Sequence, residues 1–148
     1  MVLLRLWHYK LLPYLPELQF KGQWRELVLV LNDWNYRGKT NHLLINRVMD
    51  YPKNDLFNYY LKYAHEYHKR YNKLNVSVKF NEFASFAEDQ TIHNNIFTGW
   101  HDKDYLRVCV ANLFEKYYYG IGKSKISQQE WDRVLLGYKK ITGEDYKV

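Results

Sequence analysis

One cysteine, Cys109, is all that the chain carries, and a lone thiol makes neither an internal disulfide nor a paired-cysteine metal site. Nothing in the sequence calls for an oxidising compartment, and a cytoplasmic location is expected. Long apolar runs are missing too. Arg5, His8 and Lys10 interrupt the opening MVLLRLWHYKLLPYLP before it reaches signal-peptide length. No stretch elsewhere approaches the roughly 20 apolar residues that cross a bilayer, so no membrane partner is expected. The phosphate-cradle, dinucleotide, nucleophile-elbow and zinc-deaminase patterns are absent as well. His65 and His68 lie three apart on an expected helix, but no third ligand has a matching spacing. Neither a metal nor a cofactor is expected.

What is present points to a basic, aromatic surface. The 148 residues carry a net charge of +6, and 18% of them are aromatic, including 15 tyrosines and 5 tryptophans. Such a balance suits a protein that neutralises phosphates and offers flat rings for stacking. The length suits one domain, 1–148, with a core that needs no disulfide.

Periodicity reads as helix throughout. From Leu18 to Leu31, LQFKGQWRELVLVL places Trp24, Leu27, Val28, Leu31 and then Trp34 at three- and four-residue spacing. Arg25 and Glu26 are expected to point away from the middle of that stripe. The helix should run from Glu17 to Asp33, after an extended lead-in bracketed by Pro13 and Pro16. A loop over 32–41 and a short helix from His42 to Met49 follow, stopped at Asp50-Tyr51-Pro52. Leu56, Tyr60, Tyr63, Ala64, Tyr67 and Tyr71 mark a helix over 55–74 whose aromatic stripe belongs to the core. Val76, Val78 and Phe80 alternate with polar residues and read as extended chain, and 82–100 reads as irregular. Asp102 caps a further helix that ends near Gly120 and Gly122. Ser127 and Glu130 form a capping box for the last one, closed by Gly143. The expected fold is all-α: a compact single-domain helical bundle with extended connecting segments.

Several segments, taken in order, resemble the pyrimidine-dimer DNA glycosylase family, whose best-known members are the phage endonuclease V enzymes. They are Arg5-Leu6-Trp7-His8, Pro13-Tyr14-Leu15-Pro16, Gly22-Gln23-Trp24-Arg25-Glu26-Leu27, Thr40-Asn41-His42 with Asp50-Tyr51-Pro52, Trp100-His101-Asp102-Lys103-Asp104-Tyr105-Leu106 and Asn112-Leu113-Phe114-Glu115-Lys116. The likeness is greater to the family's bacterial branch.

The resemblance implies a monomeric helical protein that binds double-stranded DNA, extrudes a nucleotide and cuts its glycosidic bond with the α-amine of the processed N-terminus. An α-amine has a reference pKa near 8, about two units below lysine, so more of it is free to attack at neutral pH. Here that amine would belong to Val2, with Glu26 as the catalytic carboxylate and Arg25 as its DNA-binding neighbour. An imine at the sugar would then permit strand scission by β-elimination, an AP lyase step. Gln23 and His42 belong to the matched motifs and join the DNA-binding set. Lys21, Lys103, Arg107, Lys116, Lys123 and Lys125, with Tyr117 to Tyr119 nearby, are the further candidates for the DNA-facing surface. Gln19, Leu29 and Asn112 stand where the family pattern has a histidine, a basic residue and an arginine. Met1-Val2-Leu3-Leu4 precedes Arg5 as an apparent extension of about three residues. Two alternatives stay open: a non-catalytic DNA-binding module of the same fold, and a structural domain whose charge is merely solvated.

Overall fold

The computed structural model describes residues 5–38, 43–122 and 125–148, and every regular element among them is helical. The fold is all-α. Contacts divide the chain into two interleaved units: the described residues of Met1–Leu6 and Gln23–Thr98 form one, and Trp7–Gly22 with Gly99–Val148 forms the other. Helix α1 (Glu17–Tyr36) begins in the second and continues into the first.

The first unit also holds α2 (Leu43–Met49), α3 (Lys53–Tyr71) and α4 (Phe80–Ala87). Pro52 starts α3, where its fixed φ suits the position, and Asn72 ends it in the left-handed conformation. Asp55 in the first turn and His68, Lys69 and Arg70 in the last complement the helix dipole. Of the expected α3 stripe, Leu56, Tyr60 and Tyr63 are buried in the core, while Ala64, Tyr67 and Tyr71 are half-buried. Tyr60 stacks on Phe83 with ring centroids 4.3 Å apart, and Tyr63 stacks on Trp24 at 5.8 Å. Burial pushes the Tyr63 hydroxyl far above its usual range, so it stays protonated.

Between 76 and 87 the structure corrects the sequence reading. Ser77–Lys79 is a single 3-10 turn rather than extended chain, and α4 occupies part of the stretch expected to be irregular. Alternation at Val76, Val78 and Phe80 had no neighbouring strand to pair with. Phe83, Ala84 and Ala87 bury one face at helical spacing instead.

In the second unit, Tyr9–Tyr14 forms a 3-10 helix that takes in Pro13 and Tyr14 of the expected extended lead-in, while Leu15 is extended as expected. His8 Nδ1 accepts the Lys10 N–H and His101 Nδ1 accepts the Tyr9 N–H, both at 3.1 Å. Burial, with the charge of Lys10, holds the His8 pKa down to about 4, so the ring stays a neutral acceptor. Helix α5 (Lys103–Tyr118) is capped by Asp102, which accepts the Tyr105 N–H at 2.8 Å. Helix α6 (Gln128–Thr142) has both halves of its capping box and ends at Gly143 with φ +78°. The Glu130 carboxylate of that box also accepts the Glu17 N–H at 3.0 Å, which satisfies a free donor at the start of α1.

Gly137 of α6 is pressed against the Tyr14 ring, and a Cβ added there would lie 2.3 Å from Tyr14 Cγ. Gly137→Ala is therefore expected to destabilise the protein by about 1–3 kcal/mol, the usual range for overpacking. A urea midpoint unchanged from the parent would contradict this packing.

Candidate active site

Along α1 the buried row in the first unit is Gln23, Leu27, Val30 and Leu31, while Trp24, Val28 and Trp34 are partly covered. Arg25 is exposed, as expected for a residue pointing away from the row. Glu26 is not. It sits on the flank of the row, one turn after Gln23 and half-buried.

Two groups hold its carboxylate in place. Glu26 Oε2 accepts the Arg5 backbone N–H at 3.3 Å and the Gln23 side-chain amide at 2.9 Å. The same Gln23 nitrogen donates to the Arg5 carbonyl at 2.8 Å. Gln23 is fixed in turn by the buried Tyr59 of α3, whose hydroxyl donates to Gln23 Oε1 at 3.0 Å. One buried amide thus ties the first described residue of the chain to the carboxylate. The orientation of that amide follows from Tyr59, whose hydroxyl donates to the amide oxygen and turns the NH₂ group toward Glu26.

The electrostatics suit proton transfer. Burial raises the Glu26 pKa to about 7, against the opposing pull of the Arg5 N–H bond, the Arg5 charge, the Gln23 amide and the Arg25 charge. A carboxyl with such a pKa is present in both forms at neutral pH, so it serves equally as acid and as base.

The other expected site residues are distributed as follows. Arg25 is exposed on α1 beside this carboxylate. Lys21 is ion-paired with Glu17 at 3.0 Å, and Lys103 with Glu144 at 2.9 Å. Arg107 donates to the Tyr138 hydroxyl at 3.1 Å and lies over the Tyr146 ring. Lys125 is exposed and Lys116 half-buried. Asn112 donates to the Val108 carbonyl of its own helix. Val2, His42 and Lys123 lie outside the described residues. The structure thus brings Gln23 and Glu26 together and gives Gln23 an internal positioning role. It adds Tyr59 and the Arg5 backbone, which the sequence reading did not single out. Tyr59 is 36 residues from Gln23, so no local spacing signals the bond.

Comparison with known proteins follows this geometry. A family model described as pyrimidine dimer DNA glycosylase matches residues 4–78, a stretch that contains Arg5, Gln23, Arg25, Glu26 and Tyr59. No curated protein and no solved structure gives a match. Among the described residues, no helix is long and apolar enough to cross a membrane.

Proposed function

The chain belongs to the pyrimidine dimer DNA glycosylase family, and on that premise we propose that it excises damaged or modified pyrimidines from duplex DNA through an imine formed by an N-terminal amine, with Glu26 moving the protons. The observation that carries this reading is the carboxyl of Glu26, with its pKa near 7, held against the Arg5 N–H by a buried glutamine. An amine at Val2 is separated from Arg5 by two residues, a span of about 10 Å at most. It therefore attaches to the chain close to the carboxylate that must serve it.

In the proposed reaction the amine nitrogen attacks C1′ of the damaged nucleotide. The glycosidic bond breaks with its electron pair going to the base, which takes up the proton that the attacking amine gives up. Protonated Glu26 then gives its proton to the ring oxygen as the sugar opens, and the carboxylate so formed stabilises the iminium cation. The Glu26 carboxylate then takes a proton from C2′, and the electron pair left behind expels the 3′-phosphate, which is the AP lyase step. The basic set Arg25, Lys21, Lys103, Arg107, Lys116 and Lys125 would position the duplex through its phosphates, with the protein acting as a monomer in the cytoplasm.

The direct test is a duplex carrying one cyclobutane pyrimidine dimer, incubated with the protein in borohydride. A covalent protein–DNA complex, and strand breaks when borohydride is omitted, are expected. Binding with neither product would establish the non-catalytic module instead. Phosphate contacts also predict that Lys125→Ala weakens all duplexes about equally and lowers the salt slope of log K by about 1. A sequence-selective loss in a salt titration would rule that role out.

A further inference from the structure

Residues 88–97 form a loop that follows α4 and lies beyond the stretch matched by the family model. Both ends are held in a conformation that side chains disfavour: Glu88 has φ +63° and Phe97 has φ +51°. Non-glycine residues keep such backbone angles only where the surroundings impose them, and they concentrate at functional sites.

Glu88 closes α4, its N–H donating to the Ala84 carbonyl, and from Asp89 onward the loop is held by three side chains on the first two turns of α3. Asn54 Nδ2 donates to the Asp89 carbonyl at 2.8 Å and the Thr91 carbonyl at 3.0 Å. Asn58 Nδ2 donates to the same Thr91 carbonyl at 2.9 Å, and Asn58 Oδ1 accepts the His93 N–H at 2.8 Å. Asp55 accepts the Phe97 N–H at 3.0 Å. The Asp89 carboxylate turns inward onto the Thr91 N–H and hydroxyl. Thus the backbone is fastened immediately before and after one residue, Ile92, whose side chain is 73% exposed.

Seating the loop's hydrophobic end does not need this clamp. Ile96 and Phe97 are buried at the far end, where the Asp55 bond holds them. The bonds from Asn54 and Asn58 act instead on the polar segment around Ile92, where Thr91, His93, Asn94 and Asn95 are all exposed. Two buried asparagines thus support an apolar tip in water. From Gln90 to Thr98 the loop has no acidic side chain, in a chain of net charge +6.

The foot of the loop reaches the catalytic machinery. Phe97 packs on Tyr59 with ring centroids 6.1 Å apart, and Tyr59 is the residue whose hydroxyl fixes Gln23 and through it Glu26. We propose that this loop opens the duplex, with Ile92 entering the base stack next to the nucleotide on which the Glu26 site acts, while His93, Asn94 and Asn95 contact the displaced strand edges. Proteins that bend or unstack DNA insert apolar wedges of this kind, and enzymes acting on a base must take it out of the stack. The inference rests on the DNA glycosylase reading above.

The test compares the parent, Ile92→Ala and Ile92→Leu on a dimer-containing strand, alone and as a duplex with 2-aminopurine beside the lesion. Because Ile92 is exposed, neither replacement is expected to alter thermal unfolding. The parent should raise 2-aminopurine fluorescence on binding the duplex. Ile92→Ala should lose most of that rise and cleave the duplex at least about tenfold more slowly, since the cost of unstacking the step is no longer offset by an inserted side chain. Its cleavage of the single strand should match the parent, and leucine should restore the duplex rate. Equal losses on duplex and single strand, or an alanine variant indistinguishable from the parent, would overturn the wedge and leave the glycosylase reading standing. A parent that neither binds nor cleaves the dimer duplex would remove both.

Discussion

Glu26→Gln is expected to lower turnover on a dimer duplex by two or more orders of magnitude while leaving duplex affinity nearly unchanged. The size follows from losing one general acid–base group. The selectivity follows from geometry, because a glutamine oxygen still accepts the Arg5 N–H and keeps the local shape. Stability provides a second readout. Glu26 titrates near 7 in the folded protein and near 4.5 when unfolded. The folded state therefore keeps a proton that the unfolded state has lost between those values, and its advantage falls as pH rises. The contribution is fully present below about 4.5 and gone once pH has passed through 7; because the carboxyl is partly open to solvent, screening keeps it below the ~1.4 kcal/mol per unit of separation of an unscreened group. The glutamine variant lacks this dependence, so its unfolding midpoint should exceed the parent's at pH 8 and approach it at pH 5. Turnover within a few fold of the parent, or identical midpoint–pH curves, would exclude Glu26 as the proton-handling group.

Blocking the N-terminal amine should have the larger chemical effect. An acetylated N-terminus has no nucleophilic nitrogen, yet it loses only one positive charge from a chain of net +6. Borohydride trapping should disappear, and affinity for an abasic duplex should persist. Peptide mapping of the complex trapped by the unmodified protein would locate the sugar on Val2, or on Leu4 if translation begins nearer there. An adduct on Lys10 or Lys21 would assign the nucleophile to a side chain and refute the amine proposal. If trapping is as efficient after acetylation as before, the same conclusion holds.

Helix boundaries set by local chemistry were legible in the sequence. Asp102, Ser127 with Glu130, and Gly143 each act within four residues of where they stand, and the structure places all of them in the expected caps. Helix α4 was hidden by a competing period: alternation at Val76, Val78 and Phe80 masks the spacing of Phe83, Ala84 and Ala87 that decides the local structure. Around Glu26 the limit is of another kind. Resemblance singles out the carboxylate and motif membership singles out Gln23, but the bond joining Gln23 to Tyr59 is made by tertiary packing alone. For the same reason the two asparagines that clamp the 88–97 loop read simply as polar positions on a helix.

The interleaving of the two units has a consequence for how the chain acquires its structure. Leu11, Leu12, Leu15 and Phe20 are almost fully buried, and they belong to the unit completed by Gly99–Val148. During synthesis these side chains leave the ribosome early, while the rest of their unit waits until the whole of 23–98 has been made. A growing chain carries an unsatisfied apolar segment for most of that time, which is the condition that exposes a protein to aggregation and chaperone capture. Closing so long a loop adds only a modest entropic cost, so the burden falls on timing rather than on final stability. For the same reason a fragment cut to the family-matched stretch 4–78 would carry Trp7–Gly22 without the Gly99–Val148 segment that completes their unit.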